Sequence, residues 1–433
     1  MFRFKNLIFL FLLIAIQING QNKPTAFING KIYTATGKII NNGSLIVEKG
    51  KIIYVGEYDN TNFSDKHEVV DLSGKVILPG LIDTHSHIGI DWGFDSDSPT
   101  QPSLRIMDAI NPFHDSFNRA RAGGITTINI MPGSGHLMSG QTIYLKPKKV
   151  TNVYEMIFTD NPTEGIVGGM KMANGTNSMK EKPFPNTRGK SAAIIRSLFY
   201  KALDYKKKIE LAGNDKSKLP SKDLELDAIV QILDKKRMVH FHTHRADDVL
   251  TVLRLKEEFG FNVVLHHVSE AWKVTKEIAD AKVGCSVIVI DSPGGKLETL
   301  ELKFETAKIL ADAGVEISIH TDDFITDSRL LLRSAAIAVR SGLSEEQAIK
   351  ALTINGAKQL ELAGRVGSLE VGKDADFIVL SGEPFSVYTK IEETWIEGIK
   401  TFDRSDANDL KYAVGGYDVY RSSGHLSNCE GDE

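Results

Sequence analysis

The sequence predicts an α/β protein: a (β/α)8 TIM-like barrel joined to a small β-sandwich formed from both chain ends. Three observations support this. Short, glycine-punctuated strand patterns fill residues 21–78 and return over 365–414. Between them, eight apolar strand-like runs alternate with segments of helical period, the pattern of parallel strands covered by helices. Histidines gather at the ends of several of these runs, and a parallel barrel opens all its strand carboxyl ends on one face.

The chain begins with Arg3 and Lys5, then an apolar run from Leu7 to Ile18 that only Gln17 interrupts, with Gly20 just after. A basic start, a short apolar stretch and a small residue at its end describe a secretory signal peptide over residues 1–20. The run falls short of the roughly 20 apolar residues of a membrane span. An uncleaved anchor is the competing reading. The expectation is a secreted or periplasmic protein without stable membrane insertion.

Residues 21–78 hold the strand patterns Ala26–Ile28, Lys31–Tyr33, Ser44–Glu48, Lys51–Val55, Glu68–Asp71 and Lys75–Ile77. Short strands between turn signals suggest half of a sandwich. The barrel is expected over 79–364. Its runs are Gly80–Thr84, Ile125–Ile130, Thr142–Leu145, Gly169–Met172, Met238–Phe241, Asn262–Leu265, Val283–Ile290 and Glu316–Ile319. Helical patterns follow at Asp247–Phe261, Leu297–Ala313 and Ser344–Leu362. The stretch 173–220, rich in Lys, Asn, Pro and Gly, is too long for a simple connection and is expected to be a functional loop or lid. Residues 365–414 complete the sandwich, with a hairpin around Glu397 and Gly398, and 415–433 read as a tail. An open doubly wound sheet is the runner-up, but no Gly-x-Gly-x-x-Gly follows an early strand.

Composition excludes several classes. With 52 basic and 56 acidic residues the formal charge is −4, without the basic excess usual in nucleic-acid binders. The two cysteines, Cys285 and Cys429, cannot staple a disulfide scaffold. Cys285 reads as a buried apolar residue. A small-molecule substrate is the expected partner, and a homo-oligomer stays open.

His85 and His87 follow the first barrel run; His240, His242 and His244 the fifth; His266 and His267 the sixth; His320 the eighth, with Asp322 two residues on. Imidazoles and a carboxylate are ligands for zinc or a similar divalent ion. Alternate residues of a strand share a side, so His85 and His87 can reach one ion. By the same alternation, at most one of His266 and His267 is expected to look inward.

The segment Val76–His87 (VILPGLIDTHSH) resembles the first-strand signature of the metal-dependent amidohydrolase superfamily. Ser318–Asp323 (SIHTDD) resembles its eighth-strand aspartate motif. Asn355–Lys358 (NGAK), followed by Val366–Val379 (VGSLEVGKDADFIV), resembles its return to the sandwich. The likeness covers about residues 25–405 and is nearest to the imidazolonepropionase-like branch, which includes prolidase-type dipeptidases. It implies metal ligation by His85, His87, His242, His267 and Asp322. It offers Lys171, within Gly169–Asn174 (GMKMAN), as a carbamylated bridging ligand, although the family's fuller run is absent there. One or two divalent ions, zinc foremost, are implied.

The implied reaction is hydrolysis of a C–N bond (amide, cyclic amide or dipeptide) by a metal-activated water. Asp322 acts as base and then acid, and His244 or His266 stands near the oxyanion. Arg188 and Arg245 are candidate clamps for a substrate carboxylate. His136 and Gln141, in the glycine-rich stretch Gly133–Gln141, are candidate substrate contacts. A deaminase or a C–O hydrolase using the same site is the alternative. A non-catalytic barrel scaffold is a third reading.

Overall fold

The computed structural model describes residues 23–59, 66–90, 97–159, 165–289, 296–416 and 419. The expected signal peptide, nearly all of the expected tail, Cys429 and the last residue of the seventh run, Ile290, lie outside them. Among the described residues no helix is long and apolar enough to cross a membrane.

Strands from both chain ends form one eight-stranded sheet. From the amino-terminal side come β1 (Thr25–Tyr33), β2 (Ile39–Glu48), β3 (Lys51–Glu57), β4 (Glu68–Asp71) and β5 (Val76–Pro79). The carboxyl-terminal side adds β15 (Phe377–Leu380), β16 (Ile391–Ile396) and β17 (Ile399–Asp403). Their order is β17-β16-β15-β5-β1-β2-β3, with β4 on β1. The joint between the ends is β5 against β15, antiparallel, with Ile77 opposite Val379. Two strands expected in residues 26–33 are one, bent by a register shift near Asn29. The hairpin between β16 and β17 turns at Glu397 and Gly398, both at positive φ. A two-residue turn of that hand matches the twist of the strands. Phe27, Leu45, Ile52, Ile77, Phe377 and Val379 form this sheet's apolar core.

The central region supplies β6 (Leu81–Ser86), β7 (Ile125–Ile130), β8 (Met138–Gln141), β9 (Ile143–Leu145), β10 (Met170–Ala173), β11 (Val239–Thr243), β12 (Val263–His267), β13 (Gly284–Val287) and β14 (Ile317–Ile319). β10 to β14 run parallel in sequence order, and β6 runs parallel to β7. The third expected run departs from the parallel pattern: β9 is antiparallel to β7, and β8 is antiparallel to β10. The reason is connection length. Residues 131–137 are too few for a crossover, which needs a dozen or more, so the chain doubles back and joins the two sheets. At the other side, Asp322 N–H donates to the His85 carbonyl at 2.9 Å and His87 N–H to the Asp323 carbonyl at 3.0 Å. The chain beyond β14 therefore lies beside β6.

The stretch 173–220 differs from expectation. It contains the 25-residue helix Arg188–Ala212. Thr187 caps it by accepting from the Lys190 N–H, and Ile195, Phe199, Ala202 and Tyr205 line its buried face. These four lie at helical spacing, while Lys190, Lys201, Lys207 and Lys208 are exposed on the helix. A lysine-rich composition thus concealed an amphipathic helix. The helix expected over Ser344–Leu362 is two, Glu345–Leu352 and Ile354–Gln359, broken at Thr353. Leu297–Ala313 holds a 3-10 turn, Leu297–Thr299, and the helix Thr306–Asp312. Cys285 is fully buried on β13.

Candidate metal and active site

Parallel strands bring distant residues together at their carboxyl ends. His85 is the fifth residue of β6, and His87 follows the strand. His240 and His242 are on β11, with His244 just past it. His266 and His267 end β12. His320 and Asp322 follow β14. All of these except His87 are buried.

The carboxylate is the meeting point. Asp322 Oδ1 lies 3.0 Å from His87 Nε2 and 3.3 Å from His85 Nε2, and Oδ2 lies 3.9 Å from His267 Nδ1. The His242 ring centroid is 4.3 Å from that of His267. Of the five expected ligands, three histidines therefore surround the carboxylate of the fourth, Asp322, and the fifth, His242, packs on His267. Two adjoining triads each hold ligand atoms within 4.8 Å of one another: His85, His267 and Asp322, and His242, His244 and His267.

Hydrogen bonding tests whether this set suits a cation. His87 Nδ1 lies 2.8 Å from the Met131 carbonyl and must carry its hydrogen there. A neutral ring would then present a lone pair on Nε2 to the Asp322 carboxylate, an arrangement that calls for a cation between them; without a cation, Nε2 carries a hydrogen and donates to Asp322. Both nitrogens of His242, together with Nε2 of His244 and of His267, are buried without a hydrogen-bond partner. Buried polar atoms are almost always satisfied, so bare nitrogens on the neighbouring His242 and His267 rings fit a transition-metal ion.

Electrostatics agrees. Burial would push the Asp322 carboxyl up, but hydrogen bonding to His87 and the neighbouring His87, His320 and Lys171 side chains hold it down at about 2. Burial is the main cause pushing His240, His244 and His320 down to about 3, so all three are neutral. Lys171 is fully buried on β10, its Nζ 2.9 Å from His85 Nε2. Burial pushes its amine down to about 7 in spite of Asp322.

The expectation that only one of His266 and His267 looks inward is corrected. His266 meets His85 at 3.2 Å and His240 at 2.9 Å, while His267 packs on His242 and His85. The alternation fails because His267 and Val268 take positive φ, 70° and 51°. Both nitrogens of His266 are occupied by other histidines, which turns it away from the oxyanion role expected for it. His244 keeps a bare Nε2, with Nδ1 2.8 Å from Ser269 Oγ.

The candidate substrate residues are placed differently. The Arg188 Nε donates to both oxygens of Asp248, and its Nη2 pairs with Glu298. Arg245 forms an exposed ion pair with Asp247. Gln141 donates to the Pro102 carbonyl and accepts from Arg237. His136 is buried against Phe184.

Sequence reasoning missed Asp83. Its carboxylate accepts from the Thr321 N–H at 3.1 Å, from the Thr321 hydroxyl and from the His85 N–H at 3.3 Å. It thereby clamps β6 to the Asp322 turn, and burial pushes it up to about 7. The signal was present, since Asp83 is two residues from His85 on the same strand. Tyr144, bonded to His240 at 2.7 Å, carried no such signal.

Known proteins match this chain in sequence and fold. The amidohydrolase family model aligns with residues 76–403. Amidohydrolase tasK of Hapsidospora irregularis is 24% identical over 89% of this chain, which spans only 44% of that relative's length. An imidazolonepropionase of Fusobacterium nucleatum subsp. nucleatum is 22% identical, over 81% of this chain and 87% of its own. The solved structure of an amidohydrolase from Thermotoga maritima MSB8 superposes with a TM-score of 0.81 at 36% identity, covering 88% of this chain and all of that one. The family model spans most of the chain and the solved structure shares its fold, so this chain belongs to the amidohydrolase family.

Proposed function

We propose that this protein is a metal-dependent amidohydrolase that cleaves a C–N bond of a small amide, cyclic amide or dipeptide. The observation that carries the reading is the ionised Asp322 set against His85, His87 and His267, beside an adjoining triad of His242, His244 and His267 whose buried rings carry bare nitrogens. His85, His87, His242, His267 and Asp322 would hold the ion, zinc by the imidazole-rich donor set. The parallel strands would close as a (β/α)8-type barrel through the β6–Asp323 pairing, with the terminal sheet as its sandwich. Lys171, whose amine burial lowers to about 7, would take up carbon dioxide as a carbamate if two ions bind. The amino-terminal apolar run would direct export.

A bound divalent ion supplies Lewis acidity and lowers the pKa of water from 15.7 toward about 7. Asp322 is ionised at neutral pH and enters as the base, taking a proton from water and returning it to the leaving nitrogen. With the Ser269 hydroxyl donating to Nδ1, the His244 Nε2 carries the hydrogen and donates to the developing oxyanion. Its buried surroundings strengthen that bond.

The test is elemental analysis of protein purified without chelator, followed by a substrate panel. Stoichiometric zinc or a similar ion and release of an amine support the reading. Ammonia release would identify a deaminase, and alcohol release a C–O hydrolase. No divalent metal at any stoichiometry would favour the scaffold.

A further inference from the structure

Both arginines expected to meet the substrate are occupied, Arg188 by Asp248 and Glu298 and Arg245 by Asp247. Another cation stands beside the histidines. Lys296 is half-buried, and its ammonium makes no ion pair or hydrogen bond among the described residues.

The backbone around Lys296 is fastened to the rim of the site. Lys296 opens the 3-10 turn Leu297–Thr299, and its carbonyl accepts from the Thr299 N–H at 3.2 Å and the Thr299 hydroxyl at 3.0 Å. Glu298, buried in that turn, accepts from the Thr176 N–H at 2.9 Å and pairs with Arg188. A Cβ on Gly175 would come within 2.7 Å of the Glu298 carboxylate, so the two segments are in close contact. Next to Gly175, the Asn174 N–H donates to the His242 carbonyl at 3.2 Å. Two hydrogen bonds thus tie the Lys296 turn to the strand end that carries His242. The lysine charge is felt there. Burial is the main cause that lowers His242, His244 and Lys171, and the Lys296 ammonium adds to it at all three.

An ammonium that gives up part of its water without gaining a partner is costly. The histidines near Lys296 are neutral and cannot balance it. Asp322 is already surrounded by His85, His87 and His267, and a divalent ion would add positive charge. The missing group at this rim is an anion, which an acidic substrate supplies. A lone ammonium suits a singly charged carboxylate, whereas a phosphate calls for a nest of N–H groups.

Resting on the metal-centre reading above, we propose that Lys296 anchors a carboxylate of the substrate. The bond cleaved then belongs to an N-acyl amino acid, a dipeptide or a cyclic amide acid rather than to a neutral amide.

The test uses the metal-loaded full chain with N-acetyl amino acids, dipeptides and cyclic amide acids, each beside its own carboxamide. The acid should exceed its carboxamide in kcat/KM by at least about ten-fold. Lys296→Met should lower kcat/KM on the acid roughly ten- to hundred-fold, the range for a lost charged hydrogen bond. The loss should fall on KM, because the anchor binds ground and transition state alike. Lys296→Arg keeps the charge and should keep the preference for the acid. Equal turnover of acid and carboxamide, or a preference unchanged in Lys296→Met, would overturn the anchor. So would full metal content with no turnover of any acid. The comparison on the unaltered protein stands if a variant does not fold. Stoichiometric metal with turnover of neutral amides alone removes the anchor and keeps the hydrolase, whereas absence of any divalent metal overturns the metal centre itself.

Discussion

Asp322 sits at φ 53°, a left-handed conformation that costs a non-glycine residue of order 1–3 kcal/mol. The cost is met locally: its N–H bonds the His85 carbonyl, and Asp83 holds the preceding Thr321. His267 shows the same strain at φ 70°. Two of the five proposed ligands are therefore aimed by backbone conformations that strand geometry forbids, which is why strand alternation misjudged the His266–His267 pair. Asp322→Asn keeps the size but loses the charge and the proton acceptor. Its turnover should fall by about 10²–10⁴-fold, read as kcat on whichever substrate the panel identifies. Full turnover with full metal content would remove Asp322 from its assigned role.

Among the elements, the helix Arg188–Ala212 replaces the expected lid with a rigid wall. Phe199 is fully buried on it, with ring contacts to Phe259 and Phe261 at 4.8 and 5.6 Å. Phe199→Ala should cost about 3–5 kcal/mol, measured by reversible denaturant unfolding. A change under about 1 kcal/mol would mean that the helix is not packed as a wall. At its amino end Arg188 faces Asp248 and Glu298. Burial pushes the Asp248 carboxyl up to about 6, against the opposing pull of Arg188. An arginine held by two carboxylates has less freedom to clamp a third.

For the molecule as a whole, the terminal sheet and the central strands meet at a buried charge cluster. Lys146, just past β9, lies 2.7 Å from both Asp374 and Asp376 in the segment leading to β15. Lys51 and Arg365 also pair with Asp374. Removing one partner of a buried ion pair strands its neighbours, so Lys146→Met should destabilise the protein by about 3–5 kcal/mol. Burial would push Asp374 up, but Lys146 first, then Lys51 and Arg365, hold it down at about 2. A depressed carboxylate stabilises the fold above its ordinary pKa of about 3.9. That contribution is lost as pH falls toward 2. Denaturant midpoints compared between pH 5 and pH 2.5 should therefore fall more steeply in the unaltered protein than in Lys146→Met. Parallel slopes would remove this cluster from the acid response.

Periodicity and motif made much of this legible. β4 matches its expected span, the β16–β17 hairpin turns at Glu397 and Gly398 as read, and the strand ends bring His85, His87 and His267 to Asp322. Such features are set by local rules, namely alternation, turn stereochemistry and the gathering of parallel strand ends. The antiparallel turn-back of β8 and β9, the strained φ of His267, the fate of Arg188 and the Tyr144–His240–His266 file were not legible. Each depends on partners far along the chain: Arg188 on Asp248 and Glu298, Tyr144 on His240. Identity and spacing state which groups are present and how they repeat. Which hydrogen meets which lone pair is decided only when packing brings remote strands within bonding distance.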